Sequence, residues 1–498
     1  MVSYLFDQFA ARVPGPERAF ITTSDGRVLS YGGLAALSAR LAHALVSFGV
    51  KPGDRVAVQV DKSPEAIALY LACLRAGAVY LPLNTAYTRA EIEYFVGDAE
   101  PALFVCAPGK ESIVSGVTVS TLGTDGKSGT LLERAAAQSE TFNDVARGRD
   151  DLAAILYTSG TTGRSKGAML SHGNLASNGE ALAREWRYSD QDVLLHALPI
   201  YHTHGLFVAT NVTLMAGAAM IFLPKLDADE MFRLMPQATV MMGVPTFYTR
   251  LLADARLTGD AVKHMRLFVS GSAPLLAETH REWNERTGHA ILERYGMTET
   301  NMNTSNPYEG PRVPGTVGRP LPGVDVRITD PASGAKLPQG EIGMIEVKGP
   351  NVFSGYWRKP EKTKAEFTAD GFFITGDLGV VDDKGYVSIV GRGKDLVISG
   401  GFNVYPKEVE EEIDALPGVV ESAVIGVAHP DFGEGVTAVV VKKKDATLGE
   451  KDVQAALKER LAAYKLPKRV IFVDDLPRNA MGKVQKALLR EAYRDLYK

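Results

Sequence analysis

Cysteine is nearly missing from this chain: Cys73 and Cys106 are the only two among 498 residues. One falls in an apolar helical pattern and the other at a strand end. No disulfide framework can be read from them, and a reducing compartment, the cytoplasm, fits best. An excess of either charge is missing too. Lys and Arg number 55 against 59 Asp and Glu, a net charge of -4, which leaves no field to gather nucleic acid or an acidic membrane. From Gly391 onward the balance tilts slightly, with 18 basic and 17 acidic residues, and that tilt would ease the approach of the C-terminal piece to polyphosphate. The N-terminus, Met1 to Asp7, has no basic region followed by an apolar core, so no signal peptide is expected. Internal repeats and low-complexity tracts are absent. One long uncharged run exists, Leu206 to Pro224, of nearly membrane-span length. Asn211 and Gly217 interrupt it, which favours a buried helix followed by a strand.

What is present is ordinary globular material, 45 % hydrophobic and 23 % charged. The length suggests roughly three units of about 150 residues each, enough to bury a core without staples. Arg55 to Val60 reads as a buried strand, Pro64 to Arg75 as a helix and Ala78 to Leu83 as the next strand. The alternation returns at Ala238 to Val244, Thr246 to Ala253, Arg266 to Ser270, Leu275 to Arg286 and Ile291 to Arg294. Strands alternating with helices of this length imply parallel sheets with covered faces. From about Pro314 to Val390 short strands punctuated by Gly and Pro predict an antiparallel β subdomain. A further α+β unit begins after Gly391, with helices over Pro406 to Leu416, Glu450 to Leu461 and Val484 to Leu496. Its strands are expected over Val420 to Val427, Val436 to Val441 and Arg469 to Val473. The expected class is α/β: a large N-terminal domain, 1–393, of parallel-sheet subdomains plus a β subdomain, and a small α+β domain, 394–498.

The most informative segment is Tyr157-Thr158-Ser159-Gly160-Thr161-Thr162-Gly163-Arg164-Ser165-Lys166-Gly167, directly after the apolar run Ala153 to Leu156. Glycines let backbone N–H groups turn inward, hydroxyls add donors and lysine adds a mobile cation, a composition suited to polyphosphate. It is not a Walker loop, because Gly-Lys-Ser/Thr is absent. The run resembles the signature loop of the adenylate-forming superfamily, which holds acyl-CoA synthetases, peptide-synthetase adenylation domains and beetle luciferases. Where the family usually has proline, this chain has Ser165. Four further segments match in order and spacing: Tyr295-Gly296-Met297-Thr298-Glu299; Thr375-Gly376-Asp377; Gly391-Arg392-Gly393-Lys394-Asp395 with Ser399-Gly400-Gly401; and Pro477 through Gly482-Lys483.

The resemblance implies a role for each matched residue. Glu299 corresponds to the family's Mg²⁺ ligand, with the Thr158 hydroxyl nearby, and a hard cation that keeps its waters suits one carboxylate. Asp377 corresponds to the acceptor for both ribose hydroxyls and Arg392 to a second nucleotide contact. Ser272-Ala273-Pro274 and Tyr295 correspond to two walls of an adenine slot, with Gly296, Met297 and Thr298 continuing the ATP site. Lys483 corresponds to the lysine that bridges the reacting carboxylate and the α-phosphate. A reactive, exposed lysine there is also a candidate target for a lysine acetyltransferase. Lys394 stands at the family's hinge, about which the C-terminal domain swings between half-reactions. Gly400 and Gly401 correspond to the lining of a pantetheine tunnel. The implied substrates are ATP and CoA and the implied cofactor is Mg²⁺.

Three residues bear on the acid. His202, in Leu198-Pro199-Ile200-Tyr201-His202-Thr203-His204-Gly205, matches the histidine that gates the family's acyl pocket. Arg250 comes directly after a segment that lines this pocket in relatives. Arg294 directly precedes Tyr295-Gly296, where relatives with long acyl chains carry glycine. A large cation there would shorten the pocket and demand an anion. The combination resembles malonyl-CoA synthetases, which act on malonate and methylmalonate, with the distal carboxylate against the arginines. A ligase for short monocarboxylates or aryl acids is the alternative and would need an apolar pocket. A peptide-synthetase adenylation domain would feed a carrier segment, and none comes after Lys483. A non-enzymatic nucleotide-binding regulator would not need Lys166, Glu299, Asp377 and Lys483 together.

Overall fold

The computed structural model describes residues 2–158, 165–400, 402–479 and 482–498. Two compact units result: Met1–Asp325 with Lys348–Gly371, and Val326–Val347 with Phe372–Lys498. Compactness therefore groups the antiparallel sheet with the C-terminal part, whereas its sequence suggests membership of the N-terminal one.

The first unit holds two sheets. One has six strands, ordered Thr118–Thr121, Leu103–Cys106, Arg55–Gln59, Val79–Pro82, Leu152–Thr158 and Lys166–Ser171. All neighbours are parallel except the last pair. The other has nine strands, and its six central members are parallel: Leu292–Met297, Leu267–Ser270, Val240–Gly243, Val193–His196, Ala219–Phe222 and Ala19–Thr23. Parallel strands covered on both faces need apolar residues throughout, and Val56, Ala57, Val58, Leu194, Leu195, Val240 and Met241 are all buried.

Helix Pro64–Ala76 shows how local sequence sets a boundary. Ser63 caps it by accepting from the Ala66 N–H at 3.1 Å, proline occupies its first position, and Gly77 ends it at φ +70°. All thirteen of its residues are buried, Glu65 and Arg75 each in an ion pair, with Arg27 and Asp144. Cys73 lies on it and Cys106 ends a neighbouring strand. Both thiols are free and fully buried. The uncharged run becomes a π-helix, His204–Thr210, then helix Asn211–Met215 and strand Ala219–Phe222. No helix among the described residues is long and apolar enough to cross a membrane.

In the second unit, Asp325–Thr329, Gly343–Lys348, Phe373–Val381 and Val387–Arg392 form a four-stranded sheet in that order. The last three run antiparallel. A second, mixed sheet centres on the long hairpin Val419–His429 and Gly433–Lys442, with Arg469–Val473 parallel to its second strand. The period-2 alternation of these strands makes two cores. Val424, Val436, Ala438 and Val440 pack against Val409, Ile413, Val453 and Leu457. Ala423, Ile425, Val427, Val439 and Val441 pack with Leu476 and Leu489.

Candidate active site

Strand Leu292–Met297 and strand Asn301–Ser305 form an antiparallel hairpin with a bulge between Tyr295 and Gly296, and Glu299 sits in its turn. Gly296 cannot be replaced there, because an added Cβ would lie 1.7 Å from the Asn301 carbonyl oxygen. On the same strand Arg294 is 3 % exposed, and its Nε and Nη2 have no hydrogen-bond partner. Burial pushes its guanidinium down to about 9, so it remains a cation at neutral pH. Gly271, just past the end of the neighbouring strand, makes room for it: a Cβ there would stand 2.4 Å from the guanidinium carbon.

Thr203 Oγ1, His204 Nε2 and Ser270 Oγ are also among the buried polar atoms without partners. His204 Nδ1 meets Ser272 Oγ at 3.1 Å, and Ser272 is held in the left-handed region at φ +72°. Strain of this kind in a non-glycine residue persists where the surroundings enforce it, commonly at sites that bind or react. Burial, then the Arg294 charge, hold His204 well below the usual imidazole value, so it is neutral. Buried polar groups are nearly always hydrogen-bonded. A buried cation beside a neutral imidazole is chemically complete once an anion is bound.

His202, the histidine expected to gate the pocket, is partly exposed, and its Nδ1 accepts from the His204 N–H at 3.4 Å. Two steps along, His204 is the histidine that points inward, a feature the His-Thr-His spacing leaves undecided. Arg250 is exposed. Phe247, Tyr248, Leu251 and Leu252 form the buried face of helix Pro245–Leu252, which turns Thr249 and Arg250 outward to an exposed position.

The residues expected to meet polyphosphate form a second group. Thr158 and Lys166 face each other across the antiparallel strands that flank the loop. Ser159, Gly160, Thr161, Thr162 and Gly163 lie outside the described residues. Buried Glu299 accepts from the Tyr356 hydroxyl at 2.9 Å, and the same hydroxyl lies 2.6 Å from Glu366. Lys166 Nζ donates to Glu366 at 3.1 Å and stands 4.1 Å from the Tyr356 ring centroid. Burial works against the Glu366 charge, but hydrogen bonds from Tyr356, Lys362 and Lys166 outweigh it and keep its pKa low. Tyr356 and Glu366 escape a reading of the sequence, since nothing in the Gly355-Tyr356-Trp357 run marks them without their partners. Tyr295 is 8 % exposed, and Ser272 and Ala273 are partly exposed.

The second unit carries the remaining residues. Asp377 is buried, and its Oδ1 pairs with Arg392 Nε at 2.7 Å directly across the strands. Lys394 lies in the 3₁₀ turn Gly393–Asp395, and burial lowers the pKa of its amine. Lys483 is exposed, its N–H donates to Asn479 Oδ1 at 3.0 Å, and Gly482 before it takes φ +75°. Gly400 adopts φ +58°, and Gly401 lies outside the described residues.

These parts define an enzyme that handles an anionic acid and a nucleotide. Residues 6–357 match the AMP-binding enzyme family, and residues 408–483 match the AMP-binding enzyme C-terminal domain. The chain belongs to the AMP-binding enzyme family, the adenylate-forming enzymes. It is 64 % identical to ATP-bound MatB from Rhodopseudomonas palustris, covering all of both chains at a TM-score of 0.98. It is 34 % identical to malonate–CoA ligase of Arabidopsis thaliana over 94 % of this chain and 85 % of that protein. It is also 36 % identical to feruloyl-CoA synthase of an Amycolatopsis species over 94 % of each.

Proposed function

We propose that this enzyme joins malonate, and with it methylmalonate, to coenzyme A in an ATP-dependent reaction through an acyl-adenylate. The single observation that carries the choice of acid is Arg294, a buried guanidinium with unmet donors beside His204 and Ser272. The likeness to a plant malonate–CoA ligase and to an ATP-bound structure supports the same reading. A ferulate-type acid would bring an aryl ring to this end of the pocket. It would leave the cation unpaired, at a cost of several kcal/mol for the buried charge.

In the first half-reaction one carboxylate oxygen of the acid attacks the α-phosphorus of ATP, the bond to the β-phosphate oxygen breaks, and pyrophosphate leaves. Such a step needs positioning and charge neutralisation more than covalent help. Arg294 holds the distal carboxylate, Lys166 and the loop hydroxyls meet the leaving phosphates, and Lys483 bridges the reacting carboxylate and α-phosphate. Asp377 and Arg392 receive the ribose, and Tyr295 with Ser272 and Ala273 flanks the adenine. In the second half-reaction the thiol sulfur of coenzyme A displaces AMP from the acyl carbon, with the pantetheine arm passing Gly400 and Gly401. The exchange of steps is placed at a pivot on Lys394, between domains 1–393 and 394–498.

Magnesium fits the residues present. Glu299 is a buried carboxylate that shares the Tyr356 hydroxyl with Glu366, and such a cation takes one or two carboxylates, waters and phosphate oxygens. When bound it would neutralise charge on the phosphates. Acetylation of Lys483 would remove the charge that adenylation uses, and two free thiols suit the cytoplasm. The test is a steady-state comparison of malonate, methylmalonate, succinate, acetate, butyrate and ferulate. Malonate should give the highest kcat/KM, and a faster rate with butyrate or ferulate would overturn the assignment.

A further inference from the structure

Lys62 is a second basic side chain held in the interior, half-buried. The Lys62 amine, in the turn after strand Arg55–Gln59, lies 2.9 Å from both Nδ1 and the carbonyl oxygen of His196. It also stands 4.2 Å from the Phe222 ring centroid. Among the described residues no carboxylate lies within ion-pair distance of it. The Gly205 carbonyl oxygen beside Nε2 can only accept, so the ring proton of His196 sits on Nε2 and Nδ1 accepts from the Lys62 amine. That Nε2–H donates to the Gly205 carbonyl oxygen at 2.9 Å, and the Thr210 hydroxyl donates to the same oxygen at 3.0 Å.

Gly205 is the second residue of the π-helix His204–Thr210, every residue of which is buried. No side chain fits at Gly205, where a Cβ would lie 2.0 Å from the Pro199 carbonyl oxygen. Single π-turns are rare and gather at functional sites, and this one begins at the histidine that meets Ser272. A chain of contacts thus runs from Lys62 through His196 and Gly205 to His204 and the Arg294 pocket. We infer that Lys62 and His196 are positioning residues for the acid pocket: Lys62 holds the His196 ring and backbone in place, and His196 fixes the π-turn that seats His204. This rests on the reading of the Arg294 pocket as the acid site.

Two measurements test it. Nitrogen-15 shifts of His196 in the natural protein at pH 7 should show a protonated Nε2 and an accepting Nδ1. A proton on Nδ1, or an imidazolium, would overturn the inference without any variant. In kinetics, Lys62→Met and His196→Ala should raise KM for malonate by about tenfold or more, the order of loss that a small misplacement of a binding group brings. KM for ATP should stay within about twofold, since neither residue is placed among the groups that hold the nucleotide. His196→Gln keeps a donor within reach of Gly205 and should recover part of the acid affinity. If acid and ATP affinity fall together, or malonate KM does not rise, the positioning role is wrong. Arg294→Met separates the two ideas: if it leaves malonate KM unchanged, the pocket reading itself fails. If it raises KM while Lys62→Met does not, only the positioning role fails.

Discussion

A guanidinium at 3 % exposure with two unmet nitrogens is expensive unless an anion meets it. Truncating one partner of a buried charge pair typically costs roughly 2–5 kcal/mol. Arg294→Ala should therefore reduce kcat/KM for malonate by about 30-fold to several thousand-fold, at ~1.4 kcal/mol per decade. Butyrate turnover should change little. Arg294→Lys should lose much of the activity as well, because a point charge does not reproduce the guanidinium fork. Arg250→Ala should lose less than Arg294→Ala, since Arg250 stands in solvent; equal losses would mean that it turns inward with substrate. Lys483→Ala should cripple acyl-adenylate formation by roughly 10²–10³-fold, as removal of a charged transition-state contact does. Thioester formation from supplied adenylate should be much less affected, and pyrophosphate exchange against single-turnover ligation checks this. Arg294 was legible from its place before Tyr295. Tyr356 and Glu366 were not, because their partners lie 57 and 200 residues away along the chain.

At the scale of elements, boundaries follow local sequence: helix Pro64–Ala76 starts after its Ser63 cap and stops at Gly77, and strand Arg469–Val473 has the bounds its sequence predicts. The π-helix escaped, because its apolar residues read the same in an α-helix and only tertiary packing widens the turn. Helix Pro406–Asp414 supplies a pH-dependent element. Burial raises the Asp414 carboxyl to about 7, with the hydrogen bond from Ser422 opposing the shift. The folded state then holds a proton between about pH 4 and 7 that the unfolded state has released. Stability falls as pH rises through that window and levels off above it. Asp414→Asn should raise the melting temperature at about pH 8 and leave it nearly unchanged at about pH 4. A larger gain on the acid side would contradict the sign.

For the molecule as a whole, composition changes character near Gly391, yet the contacts group the antiparallel sheet before that point with the C-terminal strands and helices beyond it. Sequence composition registers strand chemistry, whereas grouping depends on which faces end up packed. Whether the pivot lies at Lys394 is a question of motion, and a single substitution addresses it. Lys394→Pro fixes φ and removes an N–H, so adenylation should survive while coenzyme A ligation falls steeply. Unchanged overall turnover would move the pivot elsewhere.

The two buried thiols turn scarcity into a reporter. Burial raises the pKa of both, that of Cys106 to about 11, and the thiolate is the reactive form. In the native protein neither sulfur should meet a maleimide until the first unit opens. The rate of alkylation then counts opening events, with no engineered probe and no second label to resolve. A ligand bound only by the closed unit should slow that rate by the factor 1 + [L]/Kd, so mass-spectrometric alkylation with and without ATP becomes an affinity measurement. Alkylation at the rate of free cysteine would mean that the unit breathes far faster than its packing implies.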